Sequence, residues 1–296
     1  MELITSILAG LGSMFGWGIS DFFAKKTIDR IGDIKTLFWA QTFGIIPIFI
    51  YFLINYQHIQ IDISIIFITI LFAIADAIGY LLFYKALEKG KVSIIGPILA
   101  SFAAFSVLLS AFIFKEQIST IRWLMLGLVF LGIILTSIDI EALKDGKIHK
   151  KDLIKGLPET LVAVVIFSIW YPLWDNFVSK TNNWILLVLI IRVFISIFVF
   201  ILSFAMNNKP VIKKDENDLW KFLALIGLFD GIAYLTLTWG YEATTLTSVV
   251  TMISAAYSLP TLVLARIFLG EKLNKNQLFG VISIIVGLVL LSGLGH

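Results

Sequence analysis

Two short stretches of the sequence, Asp76-Ala77-Ile78-Gly79-Tyr80 and Asp230-Gly231-Ile232-Ala233-Tyr234, decide the fold. Each places an aspartate and a tyrosine inside a long apolar run, and the two stretches lie 154 residues apart. Aspartates are rare inside apolar helices, so their coincidence is more informative than a match between leucines. The same shift aligns further polar pairs: Asp21 with Asp175, Lys26 with Lys180 and Thr27 with Thr181. The chain therefore contains an internal repeat.

The composition excludes a water-soluble domain. Of the 296 residues, 59% are hydrophobic and 15% are charged, and the mean hydropathy is +0.96, whereas soluble domains average about 25% charged residues. The net charge is +3 without a dense basic tract, which argues against nucleic acid as a partner. The chain has no cysteine, and its three histidines are scattered. We therefore expect no metal, no cofactor, no catalytic residue and no enzymatic activity.

The apolar runs predict an all-α integral membrane protein with ten transmembrane helices. A bilayer core of about 30 Å needs about 20 apolar residues in a helix, and the continuous runs do not resemble the alternating strands of a β-barrel. The spans are expected at 3–24, 36–54, 64–84, 92–114, 120–138, 157–178, 184–205, 219–240, 247–268 and 276–293. The first is interpreted as a retained helix, because no basic segment precedes it as in a cleaved signal peptide.

The repeat divides these spans into two sets of five. We place a first repeat at 1–140, a Lys-rich cytoplasmic linker at 141–156 and a second repeat at 157–296. Because five is an odd number, the second repeat must insert upside down relative to the first. Inverted repeats of this kind are typical of secondary transporters, whose substrate site lies near the bilayer midplane.

The distribution of basic residues predicts the orientation in the cytoplasmic membrane. Eighteen lysines and arginines fall in loops that the ten-span topology puts on one side, and three fall on the other. The positive-inside rule makes the richer side cytoplasmic. The loops at 25–35, 85–91, 141–155 and 207–221 are therefore expected in the cytoplasm, and both termini outside it.

In three groups of residues, the sequence resembles members of the drug/metabolite transporter superfamily, specifically of its EamA-like family. The first is Phe15-Gly16-Trp17-Gly18 in the first span. The second is Tyr84-Lys85-Ala86-Leu87, followed by Ser93 and Pro97. The third is a recurrent glutamate after the fourth span of each repeat, in Phe114-Lys115-Glu116 and Leu269-Gly270-Glu271-Lys272. The resemblance covers the whole chain and rests on the arrangement of these motifs more than on any one of them.

The resemblance implies a secondary active transporter that moves a small polar metabolite by alternating access. An amino acid-like and a sugar-like solute both remain candidates, and proton or cation coupling stays open. The alternative is a flippase for a lipid or lipid-linked substrate, which would use the same scaffold with a lateral opening. A monomer already contains both repeats and is sufficient, while a dimer is not excluded by the sequence.

Charged residues inside the spans are the first candidates for the binding site. Asp76 and Asp230 should face a cavity, bind a cation or take up a proton, since an ionised carboxylate at this depth costs roughly 3 kcal/mol. The alternative is a hydrogen bond or ion pair that only holds the helices together. Arg192 could bind a substrate carboxylate or phosphate through its planar fork, or it could neutralise one of the aspartates.

Aromatic and polar residues near these charges complete the candidate set. Tyr80 and Tyr234 each follow an aspartate by four residues, which puts the pair on one helical face. The remaining candidates are the cavity-wall residues Trp17 and Trp170, the polar residues Asp21, Asp175 and Asn176 near span ends, and the hinge prolines Pro97, Pro172 and Pro260. Glu116 and Glu271 are expected to accept hydrogen bonds at the start of the next helix, with a gate as the alternative.

Overall fold

The computed structural model describes residues 2–55, 62–90, 92–137, 154–181, 183–213, 216–269 and 274–294. Most of the Lys-rich linker, together with Glu271, lies outside these ranges. The helices are α1 (Glu2–Ile31), α2 (Asp33–Ile54), α3 (Ile63–Lys89), α4 (Val92–Ala100), α5 (Phe102–Phe112), α6 (Thr120–Ser137), α7 (Leu157–Val178), α8 (Trp184–Ala205), α9 (Leu219–Ala243), α10 (Thr247–Ser254), α11 (Ser258–Leu269) and α12 (Lys275–Leu294). A 3₁₀ turn, Ala255–Tyr257, joins α10 to α11.

Within the described ranges, eight helical segments are long and apolar enough to cross a membrane. They correspond to eight of the ten predicted spans. The other two predictions, 92–114 and 276–293, fall on the shorter apolar helices Ile98–Phe112 and Lys275–Leu291. Helix length therefore supports a multi-pass helical membrane protein, while the count of ten stays a prediction.

The fourth span of each repeat consists of two helices separated by a short turn. The first break falls at Ser101, between α4 and α5, and the second at Ala256, where φ is −76° and ψ is 18°. These two positions are 155 residues apart, the shift that aligns this part of the repeats. Both halves therefore interrupt the same helix at the same point.

The predicted hinge prolines lie on different sides of these breaks. Pro97 lies in α4, one turn before the break at Ser101, and Pro260 lies in the first turn of α11, just after the second break. Pro172 is buried inside α7. A proline in a helix interior removes a backbone hydrogen bond, whereas one in the first turn does not. A hinge role for these three prolines remains a prediction.

Helices of each repeat pack mainly against helices of the other repeat. α1 of the first repeat packs mainly against α9 of the second, and α7 of the second packs against α3 of the first. The pairs α2–α9 and α8–α3 are related in the same way, while α2–α8 and α6–α12 join equivalent helices. This pattern is what a two-fold relation between the repeats produces.

Polar contacts at one end of the bundle give the direction of the helices. Lys25 Nζ, near the end of α1, donates to the Leu87 carbonyl near the end of α3 at 2.8 Å. Lys89 Nζ, at the end of α3, pairs with Glu159 Oε1 in the first turn of α7 at 2.5 Å. The end of α1 and the start of α7 therefore share one end, so these equivalent helices run in opposite directions.

Glycines let α9 approach two helices of the first repeat closely. A Cβ on Gly227 would lie 2.6 Å from the Ala40 carbonyl oxygen and 2.7 Å from the Gly44 nitrogen. A Cβ on Gly16 would lie 2.6 Å from the Phe229 carbonyl oxygen. Small residues at such contacts permit the close backbone packing that stabilises helix pairs in lipid. The α1–α9–α2 contact is thus a close seam between the repeats.

Candidate binding site at the repeat interface

Asp230 of α9 is the centre of a buried polar cluster built from both repeats. Its Oδ1 accepts hydrogen bonds from Trp17 Nε1 at 3.0 Å and from the Tyr80 hydroxyl at 3.2 Å. Its Oδ2 accepts from Gln41 Nε2 at 3.4 Å and forms a 2.7 Å ion pair with Arg192 Nη1. Three helices of the first repeat and α8 of the second therefore converge on a single carboxylate that is 3% exposed.

Arg192 of α8 is fully buried and has several partners. Besides the ion pair with Asp230, Nη1 donates to Gln41 Oε1, and Nη2 lies 3.5 Å from the Asp230 carbonyl oxygen. The guanidinium carbon lies 4.2 Å from the centre of the Tyr234 ring, within cation–π range. Arg192 therefore neutralises Asp230, which is one of the two roles that the sequence left open. The other role, binding of a substrate anion, stays a prediction.

Asp76 of α3 has a much simpler environment than Asp230. It is 2% exposed and accepts a hydrogen bond from the Tyr234 hydroxyl at 3.3 Å. In the described part of the chain, no cation lies within salt-bridge distance of Asp76. The equivalent positions of the two repeats therefore carry the same residue with different numbers of donors.

Each of the two aspartates is hydrogen-bonded to the tyrosine of the other repeat. Helical spacing predicts that Asp76 and Tyr80 share a face, and that Asp230 and Tyr234 do the same. Instead, Tyr80 of the first repeat donates to Asp230 of the second, and Tyr234 donates to Asp76. The predicted residues do meet, but across the repeat interface rather than along their own helices. Facing helices lie closer to each carboxylate than the tyrosine one turn further along the same helix.

Aromatic rings enclose the cluster on the α7 side. Trp170 packs edge-on against the Tyr234 ring, with centroids 5.8 Å apart, and its Nε1 donates to the Phe72 carbonyl at 3.0 Å. Trp17 packs edge-on against Tyr171 at 6.2 Å. Trp17 and Trp170 were both expected as cavity walls, and the structure places both beside the charged residues. Trp17 also contacts a charge directly, through its indole nitrogen.

The remaining polar candidates make other contacts: Asp21 interacts with Asp230 only electrostatically, and the Asp175 side chain has a hydrogen bond with Thr247. Asp175 and Asn176 are half-buried near the C-terminal end of α7, and the 3.4 Å hydrogen bond from Ser179 reaches only the Asn176 backbone carbonyl. Asp21 is half-buried on α1, with Tyr84 and Tyr257 among its electrostatic neighbours. None of these three side chains donates to or accepts from the Asp230 cluster in the hydrogen bonds of the described residues.

Glu116 binds the start of a helix in the other repeat. Its carboxylate accepts from the Ser248 backbone nitrogen at 3.1 and 3.2 Å, from the Ser248 hydroxyl at 2.5 Å and from the Thr247 hydroxyl at 3.3 Å. These groups form the first turn of α10. The expected acceptor role is thus present, but the helix is α10 and not the adjacent α6, so the contact joins the two repeats. Burial raises the pKa of Glu116, and the hydrogen bonds from Ser248 and Thr247 oppose that shift.

Two polar residues at this interface were missed by the sequence analysis. Gln41 contacts both Asp230 and Arg192, and it is fully buried. Ser196 is buried one turn after Arg192 on α8. An amide within the apolar span at 36–54 was a readable signal for Gln41. A single serine in a transmembrane helix is too common to be informative, so Ser196 could not have been singled out.

A separate groove opens on the outside of the bundle, between α2, the start of α8 and α9. Its volume is about 460 Å³, and its walls are almost entirely apolar. The cluster residues are absent from its lining, which includes Ile46, Pro47, Ile50, Tyr51, Trp184, Leu228, Ile232, Thr236 and Trp239. The chemistry-bearing residues therefore lie outside this groove. Among the described residues, no group of three acidic, histidine or cysteine side chains is arranged to hold a metal ion.

These features define a polytopic membrane protein with two oppositely oriented repeats and a buried polar centre between them. A model of the EamA-like transporter family matches residues 4–138 and 154–293, once in each half. The chain belongs to the EamA-like transporter family, and it is a multi-pass membrane transporter.

One curated protein and one solved structure are also similar to this chain. An uncharacterized protein of Methanocaldococcus jannaschii is 34% identical over 137 residues, which cover 45% of this chain and 97% of that protein. That relative therefore has about the length of one repeat. A solved crystal structure of a protein superposes with a TM-score of 0.78 at 13% identity and covers 98% of both chains. At this identity the structural match shows the fold alone.

Proposed function

We propose that the protein is a secondary active transporter that moves a small polar metabolite across the cytoplasmic membrane by alternating access. The observation that carries this proposal is the exchanged pair of contacts, Tyr80 with Asp230 and Tyr234 with Asp76. The polar centre exists only while both repeats face each other. A relative movement of the repeats therefore changes the binding site and its access together, as alternating access requires.

The contact between Glu116 and Ser248 supports one closed side of this cycle. It links the repeats at the start of α10, close to the N-terminus of α1, where the Thr245 hydroxyl donates to Glu2 Oε2 at 3.1 Å. At the opposite end lie the described residues of the basic segments at 25–35 and 207–221, where Arg30 pairs with Asp218 at 2.7 Å. We infer that the Glu116 contact closes the extracytoplasmic side in this conformation.

Asp76 is the better candidate for proton coupling, and Asp230 is the fixed counter-ion. Asp230 has a guanidinium partner and three further donors, so its ionised form is stabilised. Asp76 faces Tyr234 and Asp230 from α9, Arg192 from α8 and Tyr171 from α7, and it has one tyrosine donor. A buried carboxylate with little compensation is costly in its ionised form. A proton on Asp76 would leave Arg192 and Asp230 as a balanced pair.

Reconstituted protein tests the proposal directly. Purified transporter in liposomes is incubated with a mixed pool of amino acids and sugars, with and without an inward proton gradient, and the contents are read by mass spectrometry. We expect one solute class to accumulate above protein-free liposomes, and the gradient to change its rate. Absence of any accumulation, both with and without the gradient, would contradict a metabolite transporter.

The groove between α2 and α9 favours a flippase as the second candidate function. An apolar cleft facing lipid is where an acyl chain would lie while its headgroup crosses the protein. A flippase predicts that fluorescent phospholipid added to the outer leaflet of the same liposomes becomes protected from an impermeant quencher as it moves inward, in proportion to protein. Unchanged lipid asymmetry, together with solute flux, would decide for the metabolite transporter.

The predicted orientation has its own test, which the absence of native cysteine makes simple. Single cysteines placed in the loops at 141–155 and 207–221 should react with an impermeant maleimide only after cells are opened. Labelling in intact cells would reverse the orientation. The oligomeric state does not enter the mechanism, because both repeats of one chain complete the site.

A further inference from the structure

Two buried hydrogen-bond donors on α8 have no partner among the described residues, Arg192 Nε and the Ser196 hydroxyl. Arg192 is fully buried and Ser196 is 7% exposed. Buried polar groups are nearly always paired, because leaving one unpaired costs about 1–3 kcal/mol. Residues four apart on a helix lie on one face with Cβ atoms about 5–6 Å apart. The two free donors are therefore neighbours on the surface of α8 that packs against α2 and α3.

The Ser196 hydroxyl differs from comparable hydroxyls in the same part of the fold. Ser203, two turns later on α8, donates to the Phe200 carbonyl at 2.6 Å. Thr42, which occupies the position of Ser196 in the first repeat, donates to the Phe38 carbonyl at 2.8 Å. Such bonds to the preceding turn are the usual way in which a helical hydroxyl is satisfied. Ser196 makes no such bond, so its hydroxyl is available to a ligand.

We propose that Arg192 Nε and Ser196 Oγ form a subsite for the carboxylate of a zwitterionic solute. Arg192 Nε can only donate, whereas the Ser196 hydroxyl can donate or accept, so a single acceptor group can be bound by both of them. A guanidinium edge with an adjacent hydroxyl suits a carboxylate. The Nη1 edge of Arg192 stays paired with Asp230, so the subsite uses a different edge of the same guanidinium.

Charge balance excludes a simple anion from this subsite. The cluster contains one guanidinium and two carboxylates, Asp76 and Asp230. A bare anion would add a further negative charge to a buried site that has no cation to match it, which is strongly unfavourable. A zwitterion adds no net charge, and its cationic end can lie toward Asp76 or the aromatic rings that surround the cluster. This inference rests on the proposed function and selects the amino acid-like over the sugar-like solute.

Binding to the purified, detergent-solubilised full chain separates this proposal from transport. The common amino acids, glycine betaine and γ-aminobutyrate are screened for thermal stabilisation of the protein, with the methyl ester of each hit as a probe that lacks the carboxylate. We expect at least one zwitterion to stabilise the wild-type protein, and its ester and glucose to have no effect. A sugar that stabilises the protein where no zwitterion does would overturn the proposal.

The variants locate the subsite. Ser196→Ala should weaken the affinity for the zwitterion about tenfold, because it loses a hydrogen bond to a charged group. Ser203→Ala is the matched control, since it removes a satisfied hydroxyl from the same helix and should leave affinity unchanged. Ser196→Thr, which keeps the hydroxyl, should bind within about twofold of wild type if it loses at most a few tenths of a kcal/mol.

A further variant checks the guanidinium edge. Arg192→Lys keeps the charge beside Asp230 but removes the Nε donor, and it should weaken zwitterion binding more than Ser196→Ala. Equal affinities of wild type, Ser196→Ala and Ser203→Ala would overturn the subsite even if the protein transports an amino acid. Failure of transport with intact, Ser196-dependent binding would instead contradict the proposed function and leave the subsite standing.

Discussion

Asp76 and Asp230 occupy equivalent positions of the two repeats, yet their surroundings differ sharply. Asp230 receives donors from three helices of the first repeat and an ion pair from Arg192, whereas Asp76 receives one tyrosine hydroxyl. The backbone contacts differ in the same sense, since glycines bring α9 against α1 and α2, while the Phe167 ring fills the equivalent space beside Gly79. Of the two equivalent aspartates of the duplicated fold, Asp230 is thus held by many contacts and Asp76 by few.

The difference between the two surroundings follows from two positions at which the repeats carry different residues. Arg192 corresponds to Phe38 in the first repeat, and Gly16 corresponds to Trp170 in the second. The arginine gives only one aspartate a permanent counter-ion. The glycine lets α1 approach α9 closely, whereas the tryptophan adds aromatic surface beside the cluster. Symmetry of the helices therefore coexists with an asymmetric site, which an asymmetric solute requires.

The largest effect should come from breaking the ion pair. Arg192→Met leaves Asp230 buried without its cation and should lower the free energy of unfolding by about 3–5 kcal/mol. The double variant Arg192→Met with Asp230→Leu removes both charges and should recover most of that loss. Thermal unfolding of the purified proteins in detergent gives the comparison. A double variant as unstable as the single one would show that the pair is not the source of the loss.

Adding one methyl group at matched glycines should sharpen the contrast between the seams. Gly227→Ala meets backbone atoms of α2 and should cost about 1–3 kcal/mol. Gly79→Ala meets only the movable Phe167 ring and should cost less. Gly127 has no neighbour within 4 Å of the added carbon, so Gly127→Ala should be neutral or stabilise its helix by about 0.5–1 kcal/mol. Similar losses in all three would remove the distinction between a tight and an adaptable seam.

The contact of Glu116 with α10 should give a smaller, pH-dependent effect. Glu116→Ala removes the acceptor at the start of α10 and should cost about 1 kcal/mol, while the exposed neighbour variant Gln117→Ala should cost nothing measurable.

The sign of the pH effect follows from burial, which raises the pKa of Glu116 above its ordinary value of 4.5. Below its pKa in the unfolded state, such a group makes its full contribution to stability. This contribution is lost as the pH rises through the pKa of the group in the folded state. Unfolding temperatures measured across this range should therefore fall with pH more steeply in the wild type than in Glu116→Ala. Parallel curves would contradict the assignment.

The membrane fold was predictable because its determinants are long and redundant. Twenty consecutive apolar residues identify a span whatever the neighbouring helices do, and aspartates at a constant shift identify the repeat. Pro97 and Pro260 indicated bends near the breaks at Ser101 and Ala256, but the exact positions were not predictable, since neither Ser101 nor Ala256 is itself a helix-breaking residue. Only their equivalence in the structure shows that they belong to the design of the repeat.

The site was predictable in its members but not in its connections. Asp76, Asp230, Arg192, Tyr80 and Tyr234 stand out because polar residues are costly in lipid. Helical periodicity places each tyrosine on the same face as the aspartate of its own helix, but it does not identify the hydrogen-bond partners, which come from facing helices. The role of Gln41 depends on two partners from other helices, Asp230 and Arg192, which a single sequence does not connect.

The most direct test of the account compares the two aspartates in proton-driven flux. Asp76→Asn and Asp230→Asn proteins are reconstituted at equal amounts, and uptake of the identified solute is followed with and without an inward proton gradient. We predict that Asp76→Asn abolishes the response to the gradient but retains passive exchange of the solute. Asp230→Asn, which leaves Arg192 without its counter-ion, should lose exchange itself. A full response to the gradient in Asp76→Asn would contradict the account.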